Sequence, residues 1–372
     1  MIPKTPRGFR DVLPTEAAWR NSVSDAVRGS FASWGYLPIE TPAVERADVL
    51  KMAGKLDDTS SQFFDSDDTP FQFFDSDNTL LAMRPDVTLP VARLTATRLK
   101  NKKGPFRFYY AQAAFAEKDG TYGQDRQFTQ LGIEFIGRAG WVADAEVLCV
   151  LFSALEAAGV EDFTVAIGTV GVLNALVDEA SNDAAWKADV LRAFHKSDIV
   201  RIDELARDGR AKPVYGAALA ELSRVRGGAE AFDACREIVA PLGCEKDLDE
   251  LRRTYDLVTA NTQSGNLMVD FSIVSSFDYY TGLVFKAYAP GVAASVASGG
   301  RYDTTLEAFG RKEPAAGFAI GLERTLAALE AQGAVPPVVA PEAEVYDDDP
   351  YKMFARAAEL RAQGKRVALG GE

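Results

Sequence analysis

Apolar residues recur at two periods along this chain, and the changes of period mark out its organisation. Residues 15 to 34 place Trp19, Val23, Val27, Phe31 and Trp34 three or four apart behind Thr15, the spacing of one face of an amphipathic helix. Residues 35 to 42 then turn into a short extended segment ended by Pro42. Strand-like runs follow at 105–115, 127–136, 164–167, 267–273, 283–288 and 316–320, interleaved with helical patterns at 87–100, 143–158 and 322–331. Such a mixture, with several hairpins, predicts an α+β fold built on an antiparallel sheet flanked by helices rather than a doubly wound sheet. Between about 172 and 260 the pattern is almost wholly helical and charged. The stretch from Ala334 to Pro341 carries three prolines and reads as a linker. The expected organisation is therefore a core over 1–332, a linker over 333–343 and a remnant over 344–372 too small to hold itself together easily.

Residues 62–69 and 72–79 nearly repeat one another, each with two phenylalanines followed by acidic turn formers. One copy is expected to supply a hairpin strand before Leu80, and the other a duplicated surface loop.

Composition narrows the function classes. The chain has 372 residues, of which 47% are apolar and 10% aromatic, enough for a packed core. A formal net charge of −13 argues against a surface built to neutralise phosphates, so tRNA is not an expected partner. Cys149, Cys235 and Cys244 are scattered without Cys-x-x-Cys spacing, which suits buried thiols in a reducing compartment. His195 is the sole histidine and lies in a charged helical stretch, so a histidine-based metal site is not expected. No cofactor is expected either. With no hydrophobic leader and no run approaching a membrane span, a cytoplasmic protein is expected.

The chemistry-bearing motifs resemble those of histidyl-tRNA synthetases. Gly299-Gly300-Arg301-Tyr302-Asp303, followed by the segment Pro314 to Arg324, is similar to motif 3 of that family. Phe277-Asp278-Tyr279-Tyr280-Thr281-Gly282 resembles its second histidine-recognition motif, and residues 8 to 42 resemble motif 1. The resemblance implies a class II aminoacyl-tRNA synthetase fold, with the helical stretch of about 172–260 as an insertion between motifs 2 and 3 and residues 344–372 as a truncated remnant resembling the start of the anticodon-binding domain. It also implies a histidine pocket. Asp86 and Thr88, in Arg84-Pro85-Asp86-Val87-Thr88, match the positions that bind the α-amino group; Gln130 and Glu134 match the pair that holds the amino group and the imidazole; Tyr279 and Tyr280 match the tyrosines beside the ring. An imidazole needs a partner for each nitrogen and an ammonium needs acceptors, and this set offers both. These polar residues could instead merely satisfy one another within a retained fold.

The cations that would handle ATP are missing from the matched positions. Family arginines fall on Ala116, Gln124 and Ser275, while the motif 3 arginine survives as Arg324 and Arg126 is kept beside Asp125. Adenylate formation needs positive charge aimed at a developing pentacovalent phosphate, and losing one such donor costs ~10²–10³ in rate. A histidine pocket without that chemistry resembles the regulatory subunit of ATP phosphoribosyltransferase, whose members carry Arg-Pro-Asp as Arg84-Pro85-Asp86 does here. That resemblance implies a non-catalytic histidine sensor. It would join a short-form catalytic subunit and confer activation and feedback control on the first step of histidine biosynthesis. A divergent histidine–tRNA ligase, or a synthetase-like paralogue binding another ligand, remain alternatives. Pairing through motif 1 is also expected, with Trp19 or Phe31 buried against a second copy or, equally well, within the core of their own chain, and residues 117–124 are the expected mobile loop.

Overall fold

The computed structural model describes residues 4–52, 70–117, 125–262, 266–273, 280–337 and 340–370. It divides into two compact units, Met1–Arg10 with Val23–Ala334, and Asp11–Ser22 with Val335–Glu372. In chain order the elements begin with α1 (Pro14–Ser33), β1 (Leu37–Pro38), β2 (Val44–Arg46), α2 (Ala47–Met52), β3 (Gln72–Phe74), β4 (Leu80–Met83) and α3 (Thr88–Arg98). The long strands β5 (Phe106–Phe115) and β6 (Gln127–Ile136) come next, then α4 (Trp141–Ala158) and β7 (Thr164–Thr169).

A helical run follows: α5 (Val170–Ala180), α6 (Ala184–His195), α7 (Ile199–Arg207), α8 (Pro213–Leu222), α9 (Glu230–Val239) and α10 (Leu248–Asn261), with the two-residue strand β8 (Arg226–Gly227) between α8 and α9. Thr169, Asp183 and Asp198 cap the first three of these helices, each side chain accepting an amide of the opening turn. The larger unit closes with β9 (Leu267–Asp270), β10 (Leu283–Tyr288), β11 (Ala297–Arg301), β12 (Ala315–Gly321) and α11 (Leu322–Ala331).

Nine strands make one sheet in the order β1-β5-β6-β12-β11-β10-β7-β9-β8. From β5 through β6, β12, β11 and β10 to β7 every pairing is antiparallel, as expected. The flanks differ, because β1 pairs with β5 and β7 with β9 in parallel. Parallel neighbours need a long crossover, and these two connections are the long ones: α3 lies within the first and the helical insertion within the second. The second copy of the near-repeat forms β3 and its turn, pairing with β4, while the first copy lies outside the described residues.

Alternation along β5, β6 and β12 separates two faces. On one, Phe31 of α1 is fully buried against the rings of Tyr109 and Phe318, and Tyr36 packs edge-on to Phe135. Arg107 on this face forms a bidentate pair with Glu146 of α4, at 2.6 and 2.9 Å. Phe31 is thus a core residue of its own chain, and Trp19 is also buried, at 7% exposure. Of the two readings open for these residues, burial within their own chain is the one the structure favours. The opposite face carries the candidate site.

The smaller unit holds the strand β13 (Ala343–Val345), the helix α12 (Pro350–Ala362) and the strand β14 (Val367–Leu369), the two strands pairing in parallel. Val345, Ala357 and Leu360 form its core, and Asp349 caps the helix ahead of Pro350. Among the described residues no helix is long and apolar enough to cross a membrane.

Candidate ligand-binding site

Gln130, Gly132 and Glu134 share one face of β6 because side chains alternate along a strand. Register then sets their neighbours. Gln112, Tyr110 and Phe108 of β5 stand opposite them on one side, and Gly321, Ala319 and Gly317 of β12 on the other. One strand further, Gly300 of β11 stands beside Gly317. The result is a shallow trough floored by small residues, ~13 Å long between the Gln130 and Glu134 Cα atoms at the usual rise per residue.

Glycine at these places is a requirement of packing. A Cβ on Gly317 would overlap the Glu134 carboxylate, one on Gly132 would sit 2.5 Å from the Tyr110 hydroxyl, and one on Gly300 would meet the Tyr280 ring at 2.6 Å. Three polar side chains therefore lie low over the sheet where the backbone is bare.

Glu134 is the centre of the cluster. It is 1% exposed, and its two carboxyl oxygens accept hydrogen bonds from different phenols, Oε1 from Tyr110 at 3.3 Å and Oε2 from Tyr302. Thr88 adds side-chain hydrogen bonding to both Glu134 and Tyr110. Burial pushes the Glu134 carboxyl up to about 8, with the nearby Asp86 carboxylate acting in the same direction and the hydroxyl donors opposing it. Burial likewise pushes the Tyr110 phenol well above its ordinary value.

The segment Arg84–Thr88 is fixed from behind. Arg84 is buried, with Nη1 donating to the Thr41 carbonyl and to Gln112 Oε1, both at 2.7 Å, and Nε donating to the Ala113 carbonyl at 2.7 Å. Asp86 Oδ1 accepts the Leu89 amide in the first turn of α3 at 3.0 Å, and Gln130 Oε1 accepts the Val87 amide at 3.1 Å. Tyr302 is held in a comparable way, since the preceding Arg301 is buried in an ion pair with Asp144 of α4 at 2.6 Å and in a second with Asp303 at 3.0 Å. A hydrogen bond from the Asp303 amide to Thr281 Oγ1 ties in the segment that follows Tyr280.

Of the residues expected to bind ligand, Asp86, Thr88, Gln130, Glu134 and Tyr280 thus fall in one region of one sheet face. Tyr279 lies outside the described residues, as do Gln124, Ser275 and most of the 117–124 loop. Ala116 is fully buried, with its amide donating to the Arg126 carbonyl at 3.1 Å, so an arginine there would have no room as the chain is packed.

The two retained arginines are engaged by the protein. Arg126 pairs with Glu117 at 2.9 Å, donates to the Arg7 carbonyl at 3.3 Å and lies over the Phe71 ring. Arg324 is exposed and donates to the Ser295 carbonyl at 2.9 Å. Sequence reasoning gave no role to Tyr110 or Tyr302; the signal for Tyr110 was a glycine, Gly132, in the middle of a strand.

The fold is that of a class II synthetase-like core. The histidyl-tRNA synthetase family model matches residues 8–325. An ATP phosphoribosyltransferase regulatory subunit of Moorella thermoacetica is 33% identical over 369 residues, covering 99% of this chain and 92% of that protein. One from Rubrobacter xylanophilus is 35% identical over 368 residues, 98% of this chain and 84% of that protein. A crystal structure described as an ATP phosphoribosyltransferase regulatory subunit/histidyl-tRNA synthetase from Bacillus halodurans superposes with a TM-score of 0.86 at 28% identity, over 99% of this chain and 93% of that one. The chain belongs to the histidyl-tRNA synthetase family, on its branch of ATP phosphoribosyltransferase regulatory subunits.

Proposed function

We propose that this chain is a non-catalytic regulatory subunit that binds histidine in the trough between Gln130 and Glu134. It would join a short-form ATP phosphoribosyltransferase catalytic subunit in the cytoplasm and confer activation and histidine feedback on it. The observation that carries the reading is the contrast along the sheet face: the Glu134 end is built and buried, whereas Arg126 and Arg324 are held by protein groups and Ala116 fills its own space. Near-full-length similarity to regulatory subunits supports the same partner. In this role Asp86 and Gln130 would receive the ligand's ammonium group, and Tyr280 would lie beside its ring. Any pairing of copies would use surfaces other than Trp19 and Phe31.

The test is reconstitution. Co-purification with a short catalytic subunit should yield a complex whose transferase activity falls on adding histidine, and the isolated chain should show no histidine-dependent ATP–pyrophosphate exchange. Exchange at a rate usual for synthetases would point to the histidine–tRNA ligase alternative.

A further inference from the structure

Helix α12 is apolar on two opposite faces, and the small unit uses only one of them. Met353, Ala357 and Leu360 face its two strands, where Ala357 and Leu360 are buried with Val345. On the far side Tyr351, Ala355, Ala358 and Ala362 follow one another at steps of four, three and four residues, and all four are exposed. Such steps keep side chains in one line along a helix, the spacing of a seam between two helices. Phe354 borders the line; it is 58% exposed and Tyr351 87%. A surface helix needs one apolar face to dock on its own core, and this second face is in excess of that need.

The line is complementary to itself when reversed. Set antiparallel against a copy about a two-fold axis between Ala355 and Ala358, it places Tyr351 over Ala362 of the second copy, large side chain over small, and Ala355 over Ala358. Alanine at the crossing lets the two axes approach to about 8 Å. The flanks match as well, because an antiparallel pair brings like flanks together. Lys352, Arg356 and Glu359 share one flank, where Glu359 holds Arg356 of its own helix at 2.7 Å. Glu359 of each copy then falls level with the gap between Lys352 and Arg356 of the other. On the opposite flank Phe354 comes level with Arg361 of the second copy to within about 3 Å along the axis, which sets a guanidinium beside each phenyl ring. A parallel pair would instead stack Glu359 on Glu359 and Lys352 on Lys352, like charge against like.

We propose that α12 is a docking face for a second copy of this chain: two α12 helices pair antiparallel through Tyr351, Ala355, Ala358 and Ala362, with Lys352 and Glu359 setting the direction. One helix of 13 residues makes a small contact, so the pairing belongs to the weak, concentration-dependent class of interface.

The experiment is disulfide trapping in the full chain. Ala355→Cys and Ala358→Cys chains are oxidised separately and as a mixture; the native Cys149, Cys235 and Cys244 are buried. A disulfide forms readily only where the Cβ atoms come within about 4.5 Å, so the mixture should trap a covalent dimer about tenfold faster than either chain alone. Glu359→Lys in both chains should slow trapping roughly threefold to tenfold, and adding Lys352→Glu should restore most of the rate. These positions are all exposed, so circular dichroism should show every variant folded as the parent is. Faster trapping in either chain alone would mean a parallel pair, and an absence of trapping in every arm would mean that no second copy covers the face; each result overturns the proposal. So would a dye on Ala358→Cys that stays in water in the chain alone and is shielded only on adding a short catalytic subunit, since the face would then belong to that protein.

Discussion

The two ends of one sheet face hold their polar groups in different ways. At the Glu134 end each partner comes from a regular element or the residue next to one: Tyr110 from β5, Thr88 from the first turn of α3, Tyr302 from the end of β11, with Gly317 and Gly132 clearing the space. Strand register fixes these positions whether or not a ligand is present. At the other end, Arg126 sits where β6 begins and Arg324 on an exposed turn of α11, and each binds a group of the protein itself. Preorganised charge is what phosphate chemistry requires. Groups written into a sheet are held by its register, whereas groups near loops depend on the partners those loops supply.

The strongest way to break this comparison is Glu134→Ala. It removes the acceptor of two phenol hydrogen bonds from a buried position, and truncating one partner of such a buried polar site typically costs about 2–5 kcal/mol of binding, roughly 30-fold to several thousand-fold in affinity. The histidine-induced rise in melting temperature, which follows from mass action on the native state, should therefore disappear, while circular dichroism of the unliganded variant should remain that of a folded protein. A variant that kept the full shift would mean that the ligand sits elsewhere.

A sharper and somewhat smaller effect separates the two ends on a single strand. Gly317→Ala would place a methyl group against both the Glu134 carboxyl and the Ile133 carbonyl. Overpacking of this kind costs about 1–3 kcal/mol, so urea denaturation should show that loss and histidine should bind more weakly. Four residues along β12, a Cβ on Gly321 would find Arg324 atoms at 3.6 Å or beyond, ordinary contact, in extended backbone with φ −83°. Gly321→Ala should change stability by less than about 0.5 kcal/mol. Equal costs at both glycines would show that the trough is not specially shaped at its Glu134 end.

Much of this arrangement was legible in the sequence where periodicity was strong. The runs at 127–136, 283–288 and 322–331 are β6, β10 and α11 to the residue, and the charged stretch after 172 is helical as read, apart from short β8. Strand β11 was not read as a strand, because Ala-Ser-Gly-Gly-Arg has no β-branched or aromatic residue; tertiary packing between β10 and β12 imposes the extended form there. The parallel flanks were also missed, since crossover direction depends on how distant segments dock and leaves no local pattern. In the candidate site, the resemblance named Asp86, Thr88, Gln130 and Glu134, and the structure brings them together. The resemblance could not disclose Tyr110 and Tyr302, whose hydroxyls reach Glu134 only through cross-strand register and a turn after β11. The sequence left the apolar helix face around Phe31 open between a second copy and the chain's own core, and Tyr109 and Phe318 of the same chain cover Phe31.

The smallest expected effect is at Arg324, and it tests the other half of the comparison. Its Nη1 donates to the Ser295 carbonyl at 2.9 Å on an exposed part of the chain, so water can replace the lost bond. Arg324→Ala should shift stability by less than about 0.5 kcal/mol, in line with surface substitutions that leave no buried group unpaired. Histidine affinity should stay within about twofold, a difference of ~0.4 kcal/mol, because none of the groups that surround Glu134 depends on this side chain. In a working synthetase the same change would strip a cation from the bound nucleotide and cost ~10²-fold or more in rate. Measured together, an unchanged histidine titration and a featureless exchange assay before and after the substitution would mark Arg324 as a surface residue of a binding protein. A fall in histidine affinity of tenfold or more would instead couple the two ends of the face and end the contrast drawn between them.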